Sequence, residues 1–251
     1  MLKISSVQNP KVKEVLALRE RKHRDQTGLF LIEGKRELER ARGAKVKIEE
    51  VFYCPEYGTR TEGIECTPEV FDKMSYRENP DGILGVARQF HHELASLKLS
   101  KKPFLVIAEQ IEKPGNLGTI LRSCDAAGVD ALILADPTTD LFNPNVVRSS
   151  MGALFTVPIF ETTSQEAIAF CKQHRIAIVA TTPHVKQLYT QADFTQPLAV
   201  AVGGEAEGLT QEWIQQAEIP VKIPMHGMAD SLNVASATTL VLYEVVRQRS
   251  S

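Results

Sequence analysis

Short apolar runs separated by helical patterns dominate the chain beyond Pro103: FLVIA at 104–108, ALILA at 131–135, IAIVA at 176–180, LAVAV at 198–202 and IPVKI at 219–223. Five-residue apolar runs alternating with helices predict a parallel sheet buried on both faces. Ligands of such sheets collect at the carboxyl ends of the strands, so chemistry is expected in the loops that follow these runs. The first ninety residues have another rhythm. NPKVKEVLALRERKHR opens on Asn9-Pro10, a cap and first-turn signal, and sets Val12, Val15 and Leu16 at helical spacing. One amphipathic helix with a basic exposed face is predicted. The apolar run at 29–32, a turn at Glu33-Gly34, the charged helix KRELERA and the strand-like VFYC and GILGVA complete a small α/β unit ending near Arg88. The pattern then fades from His91 to Lys102, so the expected organisation is a domain at 1–95, a linker at 96–103 and a second domain at 104–251.

Composition narrows the class. The 251 residues are 43% hydrophobic, enough for a real core, and no stretch approaches the roughly 18 to 20 apolar residues of a membrane span. The opening MLKISSVQNPKVKEV carries no apolar signal-peptide stretch, so a cytoplasmic protein with no membrane association is expected. Cys54, Cys66, Cys124 and Cys171 are widely spaced without a CxxC pair or histidine at zinc-ligand intervals. Four reduced, mostly buried thiols and no metal site follow. Net charge is only −2, but residues 1–24 hold seven basic groups against two acidic ones. Arg19, Arg21, Lys22 and Arg24, with Lys35 and Arg36 further on, are the candidate phosphate contacts; a solvated charged face explains them as well.

Three loops look chemical. After FLVIA, Pro114-Gly115-Asn116-Leu117-Gly118 leads into a helix ending near Gly128, with Arg122 expected on its first turns. An arginine there suits a phosphate or a developing oxyanion, although a surface arginine on a crossover fits too, and Asn116 could be only a cap. After LAVAV comes GGEAEGLT, where Gly203, Gly204 and Gly208 would let the backbone approach a flat ligand, although a purely structural turn explains them as well. Glu205 and Glu207 argue against phosphate there and suit a cationic partner, either a protein arginine or a sulfonium. After IPVKI, Ser231 and Asn233 stand at the start of a small-residue apolar helix, where N-capping alone would account for them.

Taken together, NLGTILRS, VGGEAEGL and IPM followed by SLNVASA occur in the order and approximate spacing of the three motifs of the SpoU, or TrmH-like, RNA ribose 2′-O-methyltransferases. The chain resembles that family from Phe104 onward. GLFLIEGKRELERA resembles the start of the L30e-like substrate-binding domain that often precedes it. The resemblance implies an α/β SPOUT domain with a parallel sheet and a deep C-terminal trefoil knot, a homodimer with active sites at its interface, and S-adenosylmethionine as cofactor. The implied reaction is methyl transfer to a ribose 2′-hydroxyl of structured RNA, ribosomal RNA being favoured over transfer RNA. Position by position, Arg122 matches the catalytic arginine and Asn116 the asparagine of the first motif, Glu205 the acid of the second, and Ser231 and Asn233 the polar pair of the third. Gly203, Ile223 and Leu232 match cofactor positions. Thr182, Gly204, Gly208, Met225, Asn233 and Ala235 are expected beside them. Gly204 stands where the family often has asparagine, and Val-Ala-Ser-Ala replaces Val-Ser-Val-Ala; neither departure removes a catalytic side chain. Two other readings compete: a nucleotide- or NAD-binding oxidoreductase, which the missing GxGxxG opposes, and a non-catalytic RNA-binding protein that keeps the scaffold.

Overall fold

The computed structural model describes residues 2–250. The first elements in chain order are β1 (Lys3–Ile4), α1 (Pro10–Ala17), α2 (Arg21–Thr27), β2 (Leu29–Glu33) and α3 (Lys35–Gly43). Next come β3 (Ile48–Tyr53), β4 (Ile64–Cys66), α4 (Pro68–Met74), β5 (Ile83–Arg88), β6 (Phe104–Glu109) and α5 (Pro114–Ala127). Then follow β7 (Ala131–Ala135), α6 (Pro144–Ser149), β8 (Ile159–Thr162), α7 (Ser164–Gln173) and β9 (Ala177–Thr181). The chain closes with β10 (Leu198–Val202), α8 (Gln211–Gln216), β11 (Ile219–Val221) and α9 (Val234–Arg249). Two compact units result: one contains the residues up to Phe90 together with Asp140–Thr156, the other His91–Thr139 and the chain from Val157 onward.

The first unit is a five-stranded sheet ordered β1-β4-β3-β5-β2. Strand β5 pairs antiparallel with both β2 and β3, while β4 lies parallel between β1 and β3. Val12 and Val15 of α1 and Phe71 and Met74 of α4 bury one face against Phe52 and Leu84. Asn9 caps α1 through a 2.9 Å bond from the Lys11 N–H, as its position before proline predicts. The single basic helix expected from Asn9 to Arg24 is instead broken in two, and Arg24 bridges the break. Its guanidinium turns back to the carbonyls of Leu18 and Arg19 at 2.8 and 2.7 Å, just beyond the end of α1. The short β1, β4 and α4 escaped the sequence reading because three residues of strand or two turns of helix carry little periodicity. Residues 140–156 also join this unit: Phe142 packs on Phe30 with ring centroids 4.7 Å apart, and Asp140 pairs with Arg24.

The second unit is the parallel sheet that the apolar runs predict, ordered β11-β9-β10-β6-β7-β8 and paired in parallel throughout. Every residue of β7 and β10 is buried, as a sheet covered on both faces requires. The extra strand β8 lies in VPIFET, four residues too brief to stand out. Strand order reverses between β6 and β10, which places a crevice beyond the carboxyl ends of these strands. Helix α9 packs along α5, with the Ser123 and Thr239 hydroxyls 2.7 Å apart. Its last turn is anchored by Arg249, which donates to the carbonyls of Phe194, Lys102, Pro103 and Gln196 at 2.6 to 3.2 Å. All four cysteines are free and buried. Burial pushes the thiols of Cys66 and Cys171 up to about 12, so they stay protonated and inert.

Candidate functional site

The carboxyl ends of β9, β10 and β11 open into a cavity of about 640 Å³. That is within the range of small-molecule and cofactor sites. Thr182, from the loop after β9, and Gly203, Gly204, Glu205 and Gly208, from the loop after β10, form part of its wall. Ile223, Met225, Ser231, Leu232 and Asn233 supply the side beyond β11.

The loop after β10 folds back on itself. The Gly208 N–H donates to the Gly204 carbonyl at 3.0 Å, and Gly208 takes a φ of +71°, open to glycine at no steric cost. A Cβ on Gly203 would stand 2.0 to 2.1 Å from backbone atoms of Gly208 and Leu209, so glycine is obligatory there. A Cβ on Gly204 would come within 2.8 Å of the Gln110 carbonyl. A side chain at this position would require the Gln110 backbone to shift.

Glu205 does something the sequence did not suggest. Its carboxylate accepts the N–H groups of Glu112 and Lys113 at 2.9 and 3.1 Å and the Asn116 amide at 2.5 Å. Helix α5 has no side-chain cap of its own, so the second loop caps it in trans, where the helix dipole favours negative charge. Burial would push this carboxyl up, but the bonds from Glu112, Asn116 and Lys113 outweigh it and hold it below the usual carboxylate range. Asn116 passes the connection on: its Oδ1 accepts from Asn233 Nδ2 at 3.0 Å, and Asn233 Oδ1 caps α9 by accepting the Ala235 N–H at 3.0 Å. Asn116 and Asn233 thus belong to one chain of hydrogen bonds through all three motif loops.

Other expected positions fall elsewhere. Ala235 is buried with its N–H committed to Asn233, and it is absent from the cavity wall. Arg122 does not border the cavity either. It sits exposed eight residues into α5, about 12 Å along the helix from Pro114 at a rise of about 1.5 Å per residue, two turns beyond the helix start. The sequence reading missed Thr181, whose hydroxyl is buried without a hydrogen-bond partner at the end of β9 and borders the cavity. Its place after the IAIVA run was the available signal. An orphaned buried hydroxyl, a wall of glycine backbone and an apolar rim of Ile223, Met225 and Leu232 fit a nucleoside-bearing cofactor.

Among the basic groups of the first unit, Arg21 and Lys22 are exposed on α2. Arg21 pairs loosely with Asp25 at 3.7 Å. Lys35 and Arg36 are exposed at the start of α3, Arg36 bonding Glu37 at 2.8 Å. Arg24 is not a surface cation. It is 1% exposed, donating to Asp140 as well as to the two carbonyls beyond α1, and a phosphate cannot reach it. Arg19 is half-buried and donates to the carbonyls of Lys73, Met74 and Ser75, which terminate α4. Among the described residues no metal-binding cluster occurs, and no helix is long and apolar enough to cross a membrane.

Comparisons with known proteins agree with this geometry. Residues 103–243 match the SpoU rRNA Methylase family, and residues 9–85 match the MRM3-like substrate binding domain. The chain is 30% identical to the 23S rRNA (guanosine(2553)-2′-O)-methyltransferase RlmP of Bacillus subtilis, over 98% of this chain and 99% of that protein. A crystal structure of an RNA 2′-O ribose methyltransferase superposes with a TM-score of 0.89 at 40% identity, covering 100% of both chains. An AdoMet-bound rRNA methyltransferase from Sinorhizobium meliloti gives 0.87 at 32% identity, covering 98% of this chain and 97% of that one. With the motif loops joined at one crevice and family matches over both parts of the chain, this protein belongs to the SpoU rRNA methylase family.

Proposed function

We propose that the protein transfers a methyl group from S-adenosylmethionine to a ribose 2′-hydroxyl of ribosomal RNA. The carrying observation is the cavity at the ends of β9, β10 and β11, whose walls are tied to α5 through Glu205, Asn116 and Asn233. The backbone of Gly203 and Gly204, the Thr181 hydroxyl and the apolar Ile223, Met225 and Leu232 would hold the cofactor, which supplies an electrophilic methyl on a sulfonium. Positioning is the main task, because displacement needs the reacting atoms in line at about 3 to 3.5 Å. Glu205 serves here by fixing the start of α5, since its oxygens are already engaged by amides.

Arg122 would steady charge developing on the acceptor oxygen or its neighbouring phosphate. A guanidinium offers donors only and keeps its proton, so a phosphate oxygen, water or another residue takes the proton of the hydroxyl. Because Arg122 does not border the cavity, a second copy covering α5 and α9 would complete the site. Leu240 and Tyr243, 40% and 48% exposed on α9, support such a homodimer. The C-terminal trefoil knot belongs to the same reading. No observation favours a non-catalytic scaffold. The test is incubation with methyl-labelled S-adenosylmethionine and separated ribosomal and transfer RNA, followed by mapping of the modified ribose. Label confined to ribosomal RNA at a 2′-oxygen is expected, and absence of transfer to any RNA would refute the reading.

A further inference from the structure

The first unit holds an exposed aromatic ring that its core does not use. Tyr76, just after α4, is 39% exposed and is gripped from several sides. Its N–H donates to Glu33 Oε2 at 2.8 Å, and the neighbouring Ser75 hydroxyl donates to the other oxygen of the same carboxylate. Glu33 is itself buried at the end of β2, and its carbonyl accepts from Arg77 at 2.9 Å. Arg19 clamps the preceding turn through the three carbonyls of residues 73–75. The phenol oxygen accepts from Asn145 at 3.0 Å. The guanidinium carbons of Arg19 and Arg148 lie 5.7 and 5.6 Å from the ring centroid, and Arg148 is exposed.

A preorganised aromatic beside planar cations is the arrangement on which unpaired RNA bases stack, the cations also meeting adjacent phosphates. A protein partner would need a broader apolar patch, yet the ring's near neighbours here are polar or basic. We propose that Tyr76 and Arg148 receive an unpaired nucleobase of the RNA substrate, with Glu33 and Arg19 as positioning residues. Asn145 and Arg148 come from residues 140–156, so the surface extends beyond the segment that matches the substrate-binding model. This inference rests on the reading of the chain as an RNA-modifying enzyme.

The test compares binding of transcribed 23S rRNA fragments by the full wild-type chain and by Tyr76→Ala, Tyr76→Phe, Tyr76→Trp and Arg148→Ala. Tyr76→Ala should weaken binding roughly five- to hundredfold, the worth of one base–aromatic stack. Tyr76→Phe and Tyr76→Trp should keep most of the affinity, Arg148→Ala should lower it, and S-adenosylmethionine binding should be equal in all. Wild-type affinity in Tyr76→Ala overturns the inference and leaves the ring to a protein contact. So does an equal loss in Tyr76→Phe, which would assign the effect to the bond with Asn145. Wild-type methylation of a fragment alongside either result sinks only this inference; a wild-type chain that neither binds nor methylates any fragment sinks the reading beneath it.

Discussion

Asn233 donates from Nδ2 to Oδ1 of Asn116 at 3.0 Å, joining the start of α9 to the first turn of α5 across 117 positions of sequence. Asn116 uses its other end on Glu205, so one carboxamide sets both remaining loops. Asn116→Asp replaces the donor with a second carboxylate facing Glu205. Loss of a hydrogen bond to a charged group is worth about 1.5 to 3 kcal/mol, so cofactor affinity should fall roughly ten- to hundredfold by calorimetric titration. Unchanged affinity would show that the loops hold without this link.

Gly203→Ala places a methyl where the backbone of Gly208 and Leu209 already stands. Because the obstruction is main chain, side-chain rotation cannot relieve it. Cofactor binding should be lost while the first unit keeps its folded spectrum. Gly115→Ala, whose Cβ meets nothing within 4 Å, is the matched control and should bind normally.

Arg122→Ala should lower turnover by about 10² to 10³, the usual effect of removing one donor that stabilises an oxyanion. Cofactor affinity should be unaffected, since Arg122 does not border the cavity. Single-turnover methylation with saturating cofactor separates the two, and near-normal turnover would remove Arg122 from the mechanism.

The Glu205 carboxyl is held below its ordinary value of 4.5, so its stabilising contribution is full above that value. It is lost as pH falls through the depressed value of the folded protein. Thermal unfolding with and without cofactor should therefore show affinity level near neutrality and declining in acid. Glu205→Gln should bind weakly at neutral pH and flatten that dependence; an acid profile matching wild type would exclude Glu205 as the titrating group.

Arg24 and Arg21 should separate cleanly. Removing one partner of a buried ion pair costs about 3 to 5 kcal/mol, so Arg24→Ala should markedly lower the urea midpoint of the first unit. Arg21→Ala with Lys22→Ala should leave stability within error, weaken RNA binding and make its salt dependence shallower. An unaltered salt slope would mean that α2 is only a solvated face.

The local pattern of residues determined much of this protein. Five-residue apolar runs alternating with helical segments bury both faces in a covered parallel sheet, so β6, β7, β9, β10 and β11 were legible, as were the loops beyond them. Gly203 and the motif residues around Asn116 and Asn233 stood out for the same reason: their types and spacing are local. Tertiary structure decided what those residues touch. Only folding brings Glu205 onto the amides ahead of α5, turns Arg24 inward to Asp140, or leaves the Thr181 hydroxyl unpartnered at the cavity. It also assigned residues 140–156 to the first unit, because Phe142 finds its apolar surface on Phe30, far away in sequence. Charge and polarity along a chain say what a side chain can do; burial and partners, set by contacts distant in sequence, decide what it does.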